Sequence, residues 1–261
     1  MFQLNHNQLL PVDKLENVIT DGAAEAYANA QPFPHGVYDG LFDETVLSKV
    51  IDEFEEGEKE WKSFETEYEK KLQMNKDINL QPVTRALIHN LNSEPFLNFL
   101  EKLTGIEGLV PDPYLEGGGL HKIQRGGKLG VHVDFNKHNK MGVYRRLNVL
   151  VYLNKDWLEE YGGHFELWDG IQGQCQKKIL PLFNRMAIFT TTSTSFHGHP
   201  TPLSCPEDRN RISLALYYYT ANSRGDQVKD AHSTQFLTED GNRFEFGRKS
   251  LKDKIRKLIK G

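Results

Sequence analysis

Cysteine is scarce in this chain: Cys175 and Cys205 are the only two among 261 residues. Two thiols cannot build the disulfide framework of a small secreted module, so a packed core must hold the fold. A reducing, cytoplasmic setting is the expectation, with a single Cys175–Cys205 bridge as the alternative. Long apolar runs are also missing, since none approaches the ~20 residues a membrane-spanning helix needs. The opening residues, Met1-Phe2-Gln3-Leu4-Asn5-His6, lack the basic segment and apolar stretch of a signal peptide. No basic surplus exists: 32 Lys and Arg stand against 36 Asp and Glu, a formal net charge of -4. No nucleic-acid partner and no membrane partner are therefore expected. There is no internal repeat and no low-complexity tract, and the 22 glycines and 11 prolines mark no linker.

What is present suits a soluble folded chain: 38% hydrophobic, 26% charged and 11% aromatic residues in 30.0 kDa. The expectation is one domain over 1–261, with a helical part over about 1–114, a β core over about 115–221 and an extension over 222–261. Asp43 is a candidate N-cap, after which Val46, Leu47, Val50, Ile51 and Phe54 fall on one helical face. A second helix is expected from Ser93, with Pro95 in its first turn, Phe96, Leu97, Phe99, Leu100 and Leu103 as its apolar side and Gly105 as its stop. The acidic run Glu55 to Glu60 reads as a solvated helix end. Ser250 to Gly261 reads as a short basic amphipathic helix docked on the domain.

From about Gly117, short runs rich in Val, Ile, Leu, Phe and Tyr alternate with Gly, Asn, Asp and Pro. Strands are predicted near 119–125, 129–134, 146–153, 163–168, 186–191 and 211–219. That texture points to a β-sandwich or barrel, a mainly β fold with flanking helices (α+β).

Three residues in this half carry the chemistry. His132 and Asp134 are two apart, so on a strand they project from one face. His197 follows Asp134 by 63 positions, after the apolar run Met186 to Phe189. Two imidazoles and one carboxylate on one side of a metal leave the opposite side open, the pattern suited to non-haem Fe(II). H-x-D alone is weak; a second feature downstream gives it weight. Arg211 opens the run Arg211-Ile212-Ser213-Leu214-Ala215-Leu216 and shares a strand face with Ser213 and Ala215. A guanidinium above small residues leaves space for a carboxylate ligand held by two parallel hydrogen bonds. An inward arginine needs an acidic side chain or an acidic ligand. Arg209 is the rival, in a polar loop.

These residues, with V-Y-L-N-K-D-W at 151–157, G-G at 162–163 and R-I-S-L-A-L-Y-Y-Y at 211–219, resemble the prolyl 4-hydroxylase group of Fe(II)/2-oxoglutarate-dependent oxygenases. The resemblance covers roughly 115–221; the flanking parts look like extensions seen in a bacterial and phage branch. It implies a double-stranded β-helix, a distorted jelly roll. It implies Fe(II) bound by His132, Asp134 and His197, with Arg211 and Tyr152 holding the far carboxylate of the co-substrate 2-oxoglutarate, and ascorbate as a candidate further cofactor. It implies dioxygen as the other co-substrate and hydroxylation of an unactivated C–H bond with release of succinate and CO2. The favoured substrate is a prolyl residue of a protein or peptide; a free amino acid or other small molecule is the alternative. The family often has a tyrosine shortly before H-x-D; here the nearby candidate is Gln124. His199 competes with His197 as ligand. His138 and His164 read as surface or supporting residues, Trp157 and Trp168 as packing, and Thr190 to Thr194 as a solvated strand end or a hydrogen-bonding group near the metal. A zinc-dependent hydrolase on the same triad, or a non-catalytic jelly-roll module, are the competing classes.

Overall fold

A computed structural model describes residues 6–55, 60–170, 173–222, 231–238 and 241–245. The described helices are α1 (His6–Leu9), α2 (Val12–Val18), α3 (Ala23–Ala28), α4 (Glu44–Glu55), α5 (Pro82–Leu91) and α6 (Glu94–Thr104). The strands are β1 (His35–Asp39), β2 (Lys62–Glu65), β3 (Glu69–Met74), β4 (Val110–Pro111), β5 (Gly119–Ile123), β6 (Lys128–Val133) and β7 (Tyr144–Tyr152). They continue with β8 (Phe165–Asp169), β9 (Gln174–Ile179), β10 (Arg185–Thr190), β11 (Ser195–His199), β12 (Arg211–Thr220), β13 (Gln235–Leu237) and β14 (Arg243–Glu245).

Local chemistry sets the helices. Asp43 Oδ1 accepts from the backbone N–H groups of Thr45 (2.8 Å) and Val46 (3.1 Å), and Val46, Leu47, Val50 and Phe54 of α4 are buried. A buried carboxylate of α4 in turn caps α5: Glu53 accepts from Val83 N at 2.9 Å and Thr84 N at 2.7 Å. Ser93 is the N-cap residue of α6 by backbone position, but its hydroxyl donates back to Asn90 O. Gly105, at φ 67°, ends that helix in the left-handed conformation that glycine adopts most readily. Together α4, α5 and α6 cover one face of the sheet, packing against Leu147, Val149 and Val151 of β7 and Leu214, Leu216 and Tyr218 of β12.

All strand pairings are antiparallel, in the order β1-β10-β7-β12-β5-β3-β6-β11-β8-β9. From β5 to β12 the chain passes back and forth between two arms of this sheet, β5, β7, β10 and β12 on one and β6, β8, β9 and β11 on the other, with β8 and β9 a hairpin on the same arm. That is the winding of a jelly roll. The arms curl towards each other, and β3 bridges them by pairing with both β5 and β6. Because side chains alternate, the residues between the helix-facing ones point inwards: Asn148, Leu150 and Tyr152 on β7, Arg211, Ser213, Ala215 and Tyr217 on β12. The open face of the curl is where chemistry can be placed.

The sheet takes more of the chain than the apolar pattern predicts. The first half, read as mostly helical, supplies β1 at one edge and the β2–β3 hairpin. Those hairpin strands, Lys-Ser-Phe-Glu and Glu-Lys-Lys-Leu-Gln-Met, are too polar to show an alternating stripe. The edge strand β9 is missed for the same reason, with only Ile179 buried. Both cysteines are free thiols, Cys205 buried and Cys175 half-buried, which overturns the single-bridge alternative. Among the described residues no helix is long and apolar enough to cross a membrane. Residues 56–59 of the acidic run and the expected C-terminal helix over 250–261 lie outside the described residues.

Gly198 tests the strand spacing. A Cβ there would lie 2.7 Å from Gly130 O and 2.8 Å from Leu129 O, both backbone atoms of the neighbouring β6. Gly198→Ala is expected to force β11 away from β6 and cost about 1–3 kcal/mol, the usual toll of overpacking. The midpoint of urea unfolding reads this directly, and an unchanged midpoint would contradict the close approach.

Candidate active site

The site begins with one pairing. His197 of β11 lies directly opposite His132 of β6, and their ring centroids are 4.4 Å apart. Asp134 follows two residues after His132, just beyond the end of β6, and projects to the same side. His132 Nε2 is 3.6 Å from Asp134 Oδ1, and His197 Nε2 is 3.5 Å from Asp134 Oδ2. One ligand atom from each residue lies within 4.8 Å of the others, and no other such group of three occurs among the described residues.

The protonation pattern is right for metal binding. His132 Nδ1 is 2.9 Å from Gly130 O and His197 Nδ1 is 3.0 Å from Ser195 O. Carbonyl oxygens only accept, so each Nδ1 carries the hydrogen and each Nε2 presents a lone pair towards the carboxylate. Burial, reinforced by His132 alongside, pushes His197 down to about 3, so its ring is neutral near pH 7. Burial opposes ionisation of Asp134, but Arg145, His197 and His132 outweigh it and hold the carboxyl well below its ordinary range. Two imidazoles whose Nδ1 sides are tied to carbonyls and an ionised carboxylate form a donor set that fits a divalent cation such as Fe(II).

Asp134 is held by residues that the sequence pattern did not reveal. Asn148 Nδ2 donates to Asp134 Oδ2 at 2.8 Å, and the Arg145 guanidinium is 3.1 Å from the same oxygen. Arg145 Nε also donates to Asn148 Oδ1 at 2.8 Å. The guanidinium stacks against aromatic rings, 3.4 Å from the Tyr217 centroid and 4.6 Å from that of Phe135. Strict alternation would turn Arg145 outwards with Leu147. A bulge prevents this: Tyr218 pairs with Leu147 and Tyr219 with Arg145, leaving Arg146 as an extra residue. No sequence signal marks that bulge.

Arg211 is buried and donates through Nε to Gly163 O at 2.7 Å and through a terminal nitrogen to Tyr152 OH at 3.4 Å. A side chain at Gly163 would collide with Arg211 Cδ at 2.8 Å, so this glycine of the G-G turn makes room for the guanidinium. No carboxylate pairs with Arg211 among the described residues, so burial is uncompensated and lowers its pKa. A structural salt bridge is thereby excluded among those residues, leaving an acidic ligand as the group Arg211 can meet. The rival Arg209 is half-buried in the loop before β12 and binds the backbone carbonyls of Lys155 and Asp156.

The triad and Arg211 line one cavity of about 430 Å³. Lys62, Phe64 and Lys71 from the β2–β3 hairpin line it, as does Phe236 of β13, its ring centroid 5.4 Å from that of His132. Gln73 and His121 also line it, neither marked by the sequence. His121 faces Ser213 across the β5–β12 pairing and donates Nε2–H to Gly117 O at 3.1 Å. Burial, with Lys71 close by, lowers its pKa to about 3. Gln124 does not line the cavity; it is exposed at the β5–β6 turn.

The remaining histidines separate clearly. His199 lines the cavity but lies outside the group of three. His138 is buried, not at the surface: Lys140 and Met141 N–H groups donate to its Nδ1, so Nε2–H donates to Asp112 at 3.1 Å. His164 pairs with the exposed Glu159. Trp157 packs with Ile123, Leu203 and Cys205, and Trp168 against Val131, Val133 and Phe196. The threonine run makes the turn between β10 and β11, where Thr192 N donates to Ser195 Oγ at 2.8 Å.

Comparison with known proteins agrees with this geometry. Residues 118–219 match the 2OG-Fe(II) oxygenase superfamily. A prolyl hydroxylase from Trichoplax adhaerens, solved with a peptide fragment of the hypoxia inducible factor oxygen degradation domain, superposes with a TM-score of 0.56. It is 16% identical, over 80% of this chain and 92% of that one. A prolyl 4-hydroxylase from Phytophthora capsici gives a TM-score of 0.54 at 20% identity, over 85% of this chain and 67% of that one. The non-haem alpha-ketoglutarate-dependent carbocyclase SnoK from nogalamycin biosynthesis gives 0.56 at 12% identity, over 83% and 95%. A sequence search of curated proteins found no match.

The support of Asp134 is testable by metal binding. Asn148→Ala removes its 2.8 Å donor and frees Arg145 Nε from its partner. Loss of such an outer partner typically costs about ten- to a hundred-fold in metal affinity. Titration of Mn(II) by calorimetry is expected to show a loss in that range, and wild-type affinity would mean that Arg145 alone orients the carboxylate.

Proposed function

We propose that this chain, which carries a 2OG-Fe(II) oxygenase domain over residues 118–219, hydroxylates a C–H bond of a prolyl residue in a protein or peptide. The domain makes the chain a 2-oxoglutarate-dependent dioxygenase with a mainly antiparallel jelly-roll fold. The observation that carries the reading is a buried arginine with no acidic partner among the described residues, in the same cavity as a His-Asp-His cluster. That pair of features matches the two ends of one dicarboxylate: a carboxylate for Arg211, and a chelating end for a cation on His132, Asp134 and His197.

When bound, the iron supplies the activation of dioxygen, coupled to the oxidation of 2-oxoglutarate to succinate and CO2. The rest is the work of this chain. Arg211 binds the far carboxylate, with Tyr152 OH fixing one terminal nitrogen of the guanidinium. Arg145 and Asn148 orient Asp134. Phe189 and Phe165, with ring centroids 4.6 and 5.7 Å from that of His197, exclude water from one flank. The two hairpins contribute Phe64 and Phe236 to the cavity lining, where they can meet the substrate.

Support for a prolyl substrate comes from the prolyl hydroxylases that share the fold, one of them holding a peptide. A free amino acid or other small molecule is the second reading, favoured by the way β2–β3 and β13 wall the cavity from opposite sides. A zinc hydrolase would leave Arg211 without a counterpart.

Fe(II)-dependent succinate release from 2-oxoglutarate is expected in the wild type and absent in His132→Ala and Asp134→Ala. Zinc retention with no 2-oxoglutarate binding would turn the assignment to a hydrolase. Arg211→Lys is expected to keep the metal but weaken 2-oxoglutarate binding roughly thirty- to a hundred-fold, the loss of a bidentate charged contact. A screen of prolyl peptides and free amino acids for a gain of one oxygen atom by mass separates the two substrate readings.

A further inference from the structure

His199 ends β11 two residues after His197, so both rings project from the same strand face. It is 4% exposed, yet it lines the cavity that holds the triad and Arg211. Neither of its ring nitrogens has a hydrogen-bond partner among the described residues. The other cavity histidines all have one: His132 and His197 bond to the carbonyls of Gly130 and Ser195, and His121 to that of Gly117. A buried polar side chain with both its donor and its acceptor unmet is rare in a native fold and calls for a ligand.

The surroundings indicate what kind of ligand. The cations Arg211 and Lys71 line the same cavity as His199. Lys71 is engaged by Glu69 at 3.0 Å, whereas Arg211 has no acidic partner among the described residues. An unpartnered imidazole N–H in one cavity with an unneutralised guanidinium is a setting for an anion with more than one oxygen. A guanidinium meets a carboxylate through two parallel N–H bonds, so that fork and the Tyr152 hydroxyl fill three of the four acceptor sites a carboxylate offers.

We propose that His199 binds the co-substrate directly, donating a ring N–H to the 2-oxoglutarate carboxylate that Arg211 holds. The inference rests on the oxygenase reading above and adds a contact to it. It also gives a reason for imidazole at this position: an aliphatic residue would fill the same volume but leave the carboxylate one donor short.

Anaerobic equilibrium dialysis of labelled 2-oxoglutarate against the full-length Mn(II)-loaded protein tests this without turnover. His199→Leu is expected to bind 2-oxoglutarate roughly ten- to a hundred-fold more weakly, the loss of one hydrogen bond to a charged group. His199→Gln keeps an N–H donor and is expected to recover most of that affinity. Mn(II) affinity is expected to be unchanged in both. Wild-type affinity in a folded His199→Leu protein would overturn the proposal, as would an equal loss in both variants, the mark of a packing role. No 2-oxoglutarate binding by the wild type would instead overturn the oxygenase reading on which it rests. If His199→Leu does not fold, the ring ¹⁵N resonances of His199 in the Zn(II)-loaded wild type decide: they shift on adding 2-oxoglutarate, or the contact does not exist.

Discussion

The antiparallel pairing of β6 with β11 is the constraint on which the rest depends. It sets His132 opposite His197 and so joins two segments 65 positions apart in the sequence. Cross-strand neighbours lie within about 4.5–5.5 Å at Cβ, close enough for two imidazoles to share an ion, although the register shifts between His197 and His199. The close approach of these strands is possible because residue 198 is glycine, with two β6 carbonyls where a Cβ would sit. The third ligand needs no long-range pairing, because Asp134 inherits its direction from the two-residue repeat of the strand it follows. A single register thus assembles the metal centre, and the helices pack on the far side of the sheet, where they touch none of it.

Around this centre the fold concentrates buried charge that would be costly in an ordinary core. Arg145 answers Asp134 and is held between aromatic rings, so that pair is nearly self-contained. Arg211 is different. Its donors meet a carbonyl and a phenol, and the glycine that makes room for it also keeps any side chain from covering it. The cavity is therefore stabilised in two parts. One is complete within the protein, and the other is completed by what binds.

The sequence made the triad and Arg211 legible and hid the partner that Asp134 finds in Arg145. H-x-D, a later histidine and an arginine opening an apolar strand are visible because each obeys the two-residue repeat. The long strands β7, β10 and β12 were visible for the same reason, as was α4 from its cap and its apolar face. Arg145 was not, because a bulge at Arg146 reverses the face that alternation assigns to it. Neither were β2, β3 and β9, whose polar sequences carry no stripe and become strands only because a neighbouring edge offers hydrogen bonds. For His138, read as surface or supporting, the structure removes the first alternative: Asp112 and two backbone N–H groups satisfy it in the interior.

Those hidden elements are also the ones that bear on substrate choice. The jelly roll accommodates prolyl hydroxylases and a carbocyclase at similar structural distance, so the fold by itself does not choose among substrates. The His-Asp-His group does not choose either, since under the proposed function it serves the metal and not the substrate. What is left to discriminate is the mouth, where Lys62, Phe64 and Lys71 of one hairpin face Phe236 of another. Tyr68 at the turn of the first hairpin stacks on Phe236 and Phe244 of the second, with ring centroids 5.1 and 5.4 Å apart. The two walls are thus coupled by aromatic contact across the entrance, and a change in one is felt by the other. Part of the cavity lining, from Lys62 to Asn75 and from Ser233 to Phe236, thus comes from segments outside the 118–219 core.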